Sequence, residues 1–183
     1  MEKVAVLLAE GFEEIEAITI IDVLRRAELD VTVISVTGKK EVTGSHQIKV
    51  TAEKLFDEAD YSAIEMIVLP GGMPGAKNLK EHEGLKRQIL DFHENGKPLG
   101  AICAAPMVLG DLGILKNKKA TCFPGFEDEL KGADVTGESV EQAGNVVTGK
   151  GAGVAIQFAL KIVEMLKGKD FAEQLSEKMV VEK

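Results

Sequence analysis

Val4-Ala5-Val6-Leu7-Leu8-Ala9 is an unbroken apolar run, the pattern of a strand buried on both faces of a parallel sheet. The segment after it sets the fold class. Residues 13–27 contain neither glycine nor proline and carry apolar residues at helical spacing, and Val31 to Val36 then reads as a second strand. The chain therefore opens on a strand–helix–strand unit. Glu41 to Thr51 alternates weakly, as a short antiparallel excursion does, and Ile64 to Pro70 returns to a buried strand ending at Gly71-Gly72. A helix is expected from about Gly84 to Glu94, a buried strand over Leu99–Ile102, and a short helix over Ala104–Leu112. Lys119 to Phe123 reads as a short strand, and Val135 to Gly149 as a β excursion with Ala143-Gly144-Asn145 at its turn. The loop Gly149–Gly153 leads to an amphipathic helix from Val154 to Leu166 that stops at Gly168. Asp170 to Glu173 has the spacing of a capping box for a last helix, Phe171 to Lys178. Strands alternating with helices across short connections predict a three-layer α/β sandwich with a mainly parallel sheet. Residues 1–183 are expected to form one domain.

Composition narrows the partners. Net charge is −8 at pH 7, which opposes nucleic acid phosphates and anionic membranes. A small substrate or a soluble protein partner is the expectation. Only Cys103 and Cys122 could supply thiols, with no CxxC and no histidine at zinc spacing, so neither a disulfide framework nor a structural metal is indicated, and no cofactor is expected. The apolar run at the N-terminus is too short for a signal peptide, and no stretch approaches the roughly 18 apolar residues of a membrane span. A cytoplasmic, reducing location is expected.

Ligands of parallel sheets bind outside the carboxyl ends of the strands. That rule gathers three loops: 9–14, 71–75 and 103–106. In the last of them, Ala101-Ile102-Cys103-Ala104-Ala105-Pro106, an apolar strand stops at a cysteine just before a helix. Cys103 is then either a nucleophile facing a helix N-terminus, which favours thiolate, or a buried structural cysteine acting as a small hydrophobe. At about 100° per residue, Val23, Ala27, Ile20, Leu24 and Ala17 form one arc of the first helix, and Glu16 falls inside it. A carboxylate there is costly unless protonated or held by specific hydrogen bonds. Alone, Glu16 fits equally a side chain that reaches solvent. Its place just past the first strand brings it within reach of Cys103. Ile15 and Ile18 lie on the polar arc, which suggests a homodimer contact. Gly71-Gly72-Met73-Pro74-Gly75 lacks the G-x-G-x-x-G and Walker patterns, so an oxyanion turn is preferred to a phosphate cradle. Cys122 is expected to be structural.

Four segments together resemble the DJ-one/ThiJ/PfpI superfamily, nearest its DJ-one and YajL-like branch. They are Ala9-Glu10-Gly11-Phe12-Glu13-Glu14-Ile15-Glu16; Leu69-Pro70-Gly71-Gly72 with Gly75-Ala76-Lys77-Asn78-Leu79; Gly100-Ala101-Ile102-Cys103-Ala104-Ala105-Pro106; and Thr148-Gly149-Lys150-Gly151-Ala152-Gly153. The resemblance implies a flavodoxin-like sandwich that forms homodimers, with Cys103 as an oxidation-prone nucleophile and Glu16 as the protonated carboxyl that hydrogen-bonds it. It also implies an oxyanion site at the backbone N–H groups of Gly72 and Ala104, with His46, Phe123 and Gly149 at the pocket rim. It implies glutathione-independent glyoxalase or deglycase activity on small reactive aldehydes or glycated substrates, or else a redox-sensing or chaperone role with little turnover. An older association with thiamine thiazole phosphate synthesis finds no support in these residues.

The chain departs from relatives in two places. Phe123 stands where well-studied animal members have a histidine, and Ala104 stands where the protease branch has one. His46, His82 and His93 are the only histidines, and none is predicted beside Cys103. Acyl transfer with an imidazole base is therefore not expected. His46 occupies the place of an arginine near the pocket in some members.

Overall fold

The computed structural model describes residues 2–182. The opening run forms β1 (Lys3–Leu8), whose side chains divide between two cores: Val4, Val6 and Leu8 enter one, and Ala5 and Leu7, with Ala9 beyond the strand end, the other. Such a strand needs cover on both faces. On one face lies α1 (Glu14–Arg26), capped by the Glu13 carboxylate, which accepts from Ile15 N–H at 3.3 Å. The chain returns through β2 (Asp30–Ser35), paired parallel to β1 along its whole length. The predicted excursion is a hairpin of β3 (Glu41–Thr43) and β4 (Lys49–Thr51), outside the main sheet. β5 (Lys54–Leu55) then adds a parallel edge to β2.

The next strand reverses the direction of winding. β6 (Met66–Leu69) pairs with the opposite side of β1 from β2, so the loops after β1 and β6 diverge and leave a crevice at their carboxyl ends. The helix expected here forms as predicted, and a second one that was not expected precedes it. α2 (Gly75–Glu81) precedes α3 (Glu83–Glu94), and His82 joins them, its Nδ1 accepting from Leu85 N–H at 2.9 Å. β7 (Leu99–Ile102) extends the sheet beyond β6.

Beyond β7, α4 (Pro106–Asp111) is shorter than the predicted 104–112. Proline lacks an N–H and fits the first helical turn, so Ala104 and Ala105 remain in the turn. β8 (Lys119–Ala120) pairs with β9 (Asp134–Val135) in a separate ribbon. The strand expected to reach Phe123 stops early because Thr121 N–H donates to Thr148 Oγ1 at 3.0 Å and Phe123 N–H to the Cys103 carbonyl at 2.8 Å. Residues 121–123 are thereby drawn over the elbow.

β10 (Val140–Ala143) turns back into β11 (Val146–Gly149), which pairs parallel with β7. α5 (Ala155–Lys167) and α6 (Lys169–Lys178) close the chain. The predicted Asp170 capping box does not form: α6 starts two residues earlier than expected, directly from Gly168 at φ 90°, with no side-chain cap.

The main sheet runs β10-β11-β7-β6-β1-β2-β5, parallel except for β10. α1, α5 and α6 pack on one face, and α2, α3 and α4 on the other. This is a three-layer α/β sandwich, and Glu16, Gly71, Gly72 and Cys103 converge at its carboxyl edge.

Candidate active site

β7 delivers Cys103 at its carboxyl end with φ 64°, a left-handed conformation uncommon for any residue but glycine. Such a residue costs on the order of 1 kcal/mol or more, and the surrounding structure has to hold it there. Two backbone hydrogen bonds do so. Cys103 N–H donates to the Gly149 carbonyl at 2.9 Å, and its own carbonyl accepts from Phe123 N–H at 2.8 Å. Gly149 and Phe123, expected at the rim, therefore clamp the elbow itself. Cys103 is partly exposed, and the N–H groups of Gly72 and Ala104 hydrogen-bond its sulfur.

Glu16 projects from α1 and is fully buried, whereas Ile15 and Ile18 on the other arc are exposed. Its Oε2 accepts from Gly71 N–H at 2.8 Å. Gly71 carries no side chain for a steric reason: a Cβ there would lie 2.6 Å from Cys103 Cβ and 2.8 Å from Glu16 Oε2. The Gly71 carbonyl accepts from Glu13 N–H at 2.9 Å, fastening the β6 loop to the start of α1.

Burial raises the Glu16 pKa to about 7, against the hydrogen bonds from Gly71 and Cys103 that lower it; the Glu13 charge adds to the rise. Oε1 is buried without a well-formed hydrogen-bond partner. A carboxylate oxygen so placed is costly, and a protonated one becomes a donor. The Cys103 thiol is pushed up to about 12, first by burial and then by the charge and hydrogen bond of Glu16, with the N–H groups of Gly72 and Ala104 opposing.

This corrects the expectation that a helix N-terminus favours thiolate here. α4 has six residues and begins only at Pro106. The repulsion exists only while Glu16 is charged, so protonating Glu16 lowers the cost of a thiolate at Cys103. The two groups titrate as a pair, and ionising one makes ionising the other costlier. Cys122 is buried, and burial with the Glu127 charge raises it to about 11.

His46 hydrogen-bonds elsewhere. Its N–H donates to Glu14 Oε1 at 2.6 Å, and its Nδ1 lies 2.9 Å from Glu14 Oε2 and 3.5 Å from Glu13 Oε2. Ile48 N–H and Ser45 Oγ also bind the Glu14 carboxylate. Burial pushes the Glu14 pKa up, yet these bonds, the His46 side chain foremost, bring it down to about 2. His46 is raised in turn by its hydrogen bond to Glu14. Sequence reading missed Glu14 because all these partners come from the hairpin turn between β3 and β4. Glu13, Glu14 and His46 also place possible metal-ligating atoms within 4.8 Å of one another; here the Glu14 oxygens serve as an internal latch. No histidine hydrogen-bonds Cys103 among the described residues.

A parallel α/β sandwich with a cysteine on a left-handed elbow and a buried carboxyl beside it defines a class of elbow-cysteine proteins. The chain belongs to the DJ-1/PfpI family, whose model matches residues 2–165. It is 40% identical to Protein DJ-1 homolog B of Arabidopsis thaliana over 98% of this chain, and spans only 41% of that longer relative. The Parkinson disease protein 7 homolog of Danio rerio is 33% identical, with 98% of this chain and 97% of the relative covered. The solved structure of oxidized Toxoplasma gondii DJ-1 superposes with a TM-score of 0.92 at 36% identity, covering 98% of both chains. No helix among the described residues is long and apolar enough to cross a membrane.

Proposed function

We propose that the protein is a cysteine-dependent enzyme acting on small reactive aldehydes, of the glutathione-independent glyoxalase or deglycase type. The observation that carries this reading is the convergence on one sulfur of a buried carboxyl with pKa near 7 and two backbone N–H donors. With methylglyoxal, the Cys103 sulfur forms a bond to the aldehyde carbon, and the N–H groups of Gly72 and Ala104 stabilise the oxygen that becomes negative. Glu16, poised near neutrality, moves the proton from that carbon to its neighbour through an enediol, giving a thioester. Water then breaks the carbon–sulfur bond. The sum is methylglyoxal plus water to lactate, with no external oxidant.

Lactate production should be lost in Cys103→Ala and fall at least a hundredfold in Glu16→Gln, a general acid–base contribution of ordinary size. Wild-type rates in either variant overturn the mechanism.

A redox-sensing role is the second reading, supported by the same donors and by the partial exposure of Cys103. Two equivalents of peroxide would convert the thiol to a sulfinic acid and two waters, with Glu16 O–H and the Gly72 and Ala104 N–H groups on the new oxygens. Mass spectrometry after mild peroxide should show two added oxygens at Cys103 before Cys122. Equal oxidation of both tells against it. Protease or amidase chemistry lacks the imidazole it needs.

The proposed partner is a second copy of the chain, docked through α1, and the proposed location is the reducing cytoplasm.

A further inference from the structure

Beside the elbow runs a cleft of about 340 Å³ that the proposed reaction of methylglyoxal does not use. Phe123 and Pro124 form one wall, and Lys150 to Val154 the other. It begins at the clamps that hold the nucleophile: Phe123 is itself bonded to the Cys103 carbonyl, and Lys150 is next in the chain to Gly149, the other clamp. Of the lining residues only Lys150 is charged, and its ammonium is drawn to the Gly137 carbonyl at 2.8 Å. Phe123 is 46% exposed, and its ring meets Phe126 edge-on with 6.5 Å between centroids.

Gly151 keeps the facing wall low. A Cβ there would sit 3.3 Å from the Phe123 ring, so a larger residue would narrow the cleft. Its backbone is extended, which any residue can adopt. An exposed aromatic ring against a floor of small residues is a binding surface for flat or branched apolar groups. About 150 Å³ suffices for a benzene ring, so the cleft has room.

We infer that this cleft receives the substituent of the carbonyl substrate, and that Phe123 makes 2-oxoaldehydes with aryl or branched alkyl groups better substrates than methylglyoxal. The inference rests on the proposed carbonyl chemistry for its kinetic arm and on binding alone for its second. Phenylglyoxal plus water gives mandelate by the same steps, the proton of the aldehyde carbon moving to its neighbour. Exchanging methyl for phenyl in an apolar site is worth tenfold or more in specificity.

The test measures kcat/KM for phenylglyoxal and methylglyoxal, and calorimetric affinities for mandelate and lactate, in wild type, Phe123→Ala and Gly151→Val. Each ratio is taken within one protein, so a partly folded variant does not distort it. In wild type both ratios should favour the aryl compound at least tenfold, and both should fall to within about threefold of unity in the two variants. Ratios in the variants that match wild type overturn the cleft's role. Absence of turnover together with a mandelate preference that depends on Phe123 supports the cleft and removes the enzymatic reading.

Discussion

Glu16 shows what a single side chain costs and provides. The carboxyl is neutral in folded and unfolded chains well below pH 4.5. Between 4.5 and about 7 the unfolded chain releases the proton while the folded chain keeps it, so stability falls as pH rises. Above about 7 the loss is complete, of the order of 3 kcal/mol. Glu16→Gln keeps an amide oxygen for Gly71 N–H and never ionises. Urea denaturation should therefore find variant and wild type alike near pH 4, and the variant more stable by about that amount near pH 8. A wild type more stable than the variant near pH 8 would mean that Glu16 is held as an anion. Glu16 was legible in the sequence because helical periodicity exposes a carboxylate inside an apolar arc. Glu14 was not, since nothing local distinguishes a carboxylate in a first turn from one latched by a distant loop. The left-handed Cys103 was equally hidden: its clamps, Gly149 and Phe123, are remote in sequence.

At the level of elements, α1 presents a face that this chain leaves uncovered. Ile15 and Ile18 are 59% and 45% exposed, and Ile48, 56% exposed, is tied to the start of the helix by the bond of its N–H to Glu14. Exposed isoleucines three residues apart on one helix face are of the kind that pairs with its own copy about a two-fold axis. Light scattering after size exclusion at micromolar concentration should give twice the 19.6 kDa chain mass, and Ile18→Lys should weaken the dimer at least tenfold. A wild type that runs at the single-chain mass rules the dimer out. α1 was legible in full, and its exposed isoleucines with it. α2 was not, because only Ala76 and Leu79 carry its apolar face beside Gly75, too few positions to establish a period. α4 and β8 came out shorter than their sequences suggest because Pro106 sets the start of one and the bonds of residues 121–123 end the other.

Across the whole molecule, the sequence announces the class of architecture through apolar strands alternating with helices. It does not announce strand order. That β6 crosses to the far side of β1, creating the crevice, depends on which way a connection runs, and no local pattern records it. The elbow joins the pieces of that topology: Glu16 from the first helix, Gly72 after β6, Phe123 after β8 and Gly149 at the end of β11. During synthesis, which supplies the N-terminal part first, a chain that has reached Cys103 still lacks Gly149. Its thiol is then an ordinary solvated one, with neither the burial nor the carboxylate that raise its pKa. The bond from Cys103 N–H to Gly149 that holds the elbow is made only when β11 pairs with β7. Labelling of Cys103 should therefore be faster in nascent or unfolding chains than in finished ones, which makes it a reporter on the closure of a sheet whose strands lie far apart in the chain.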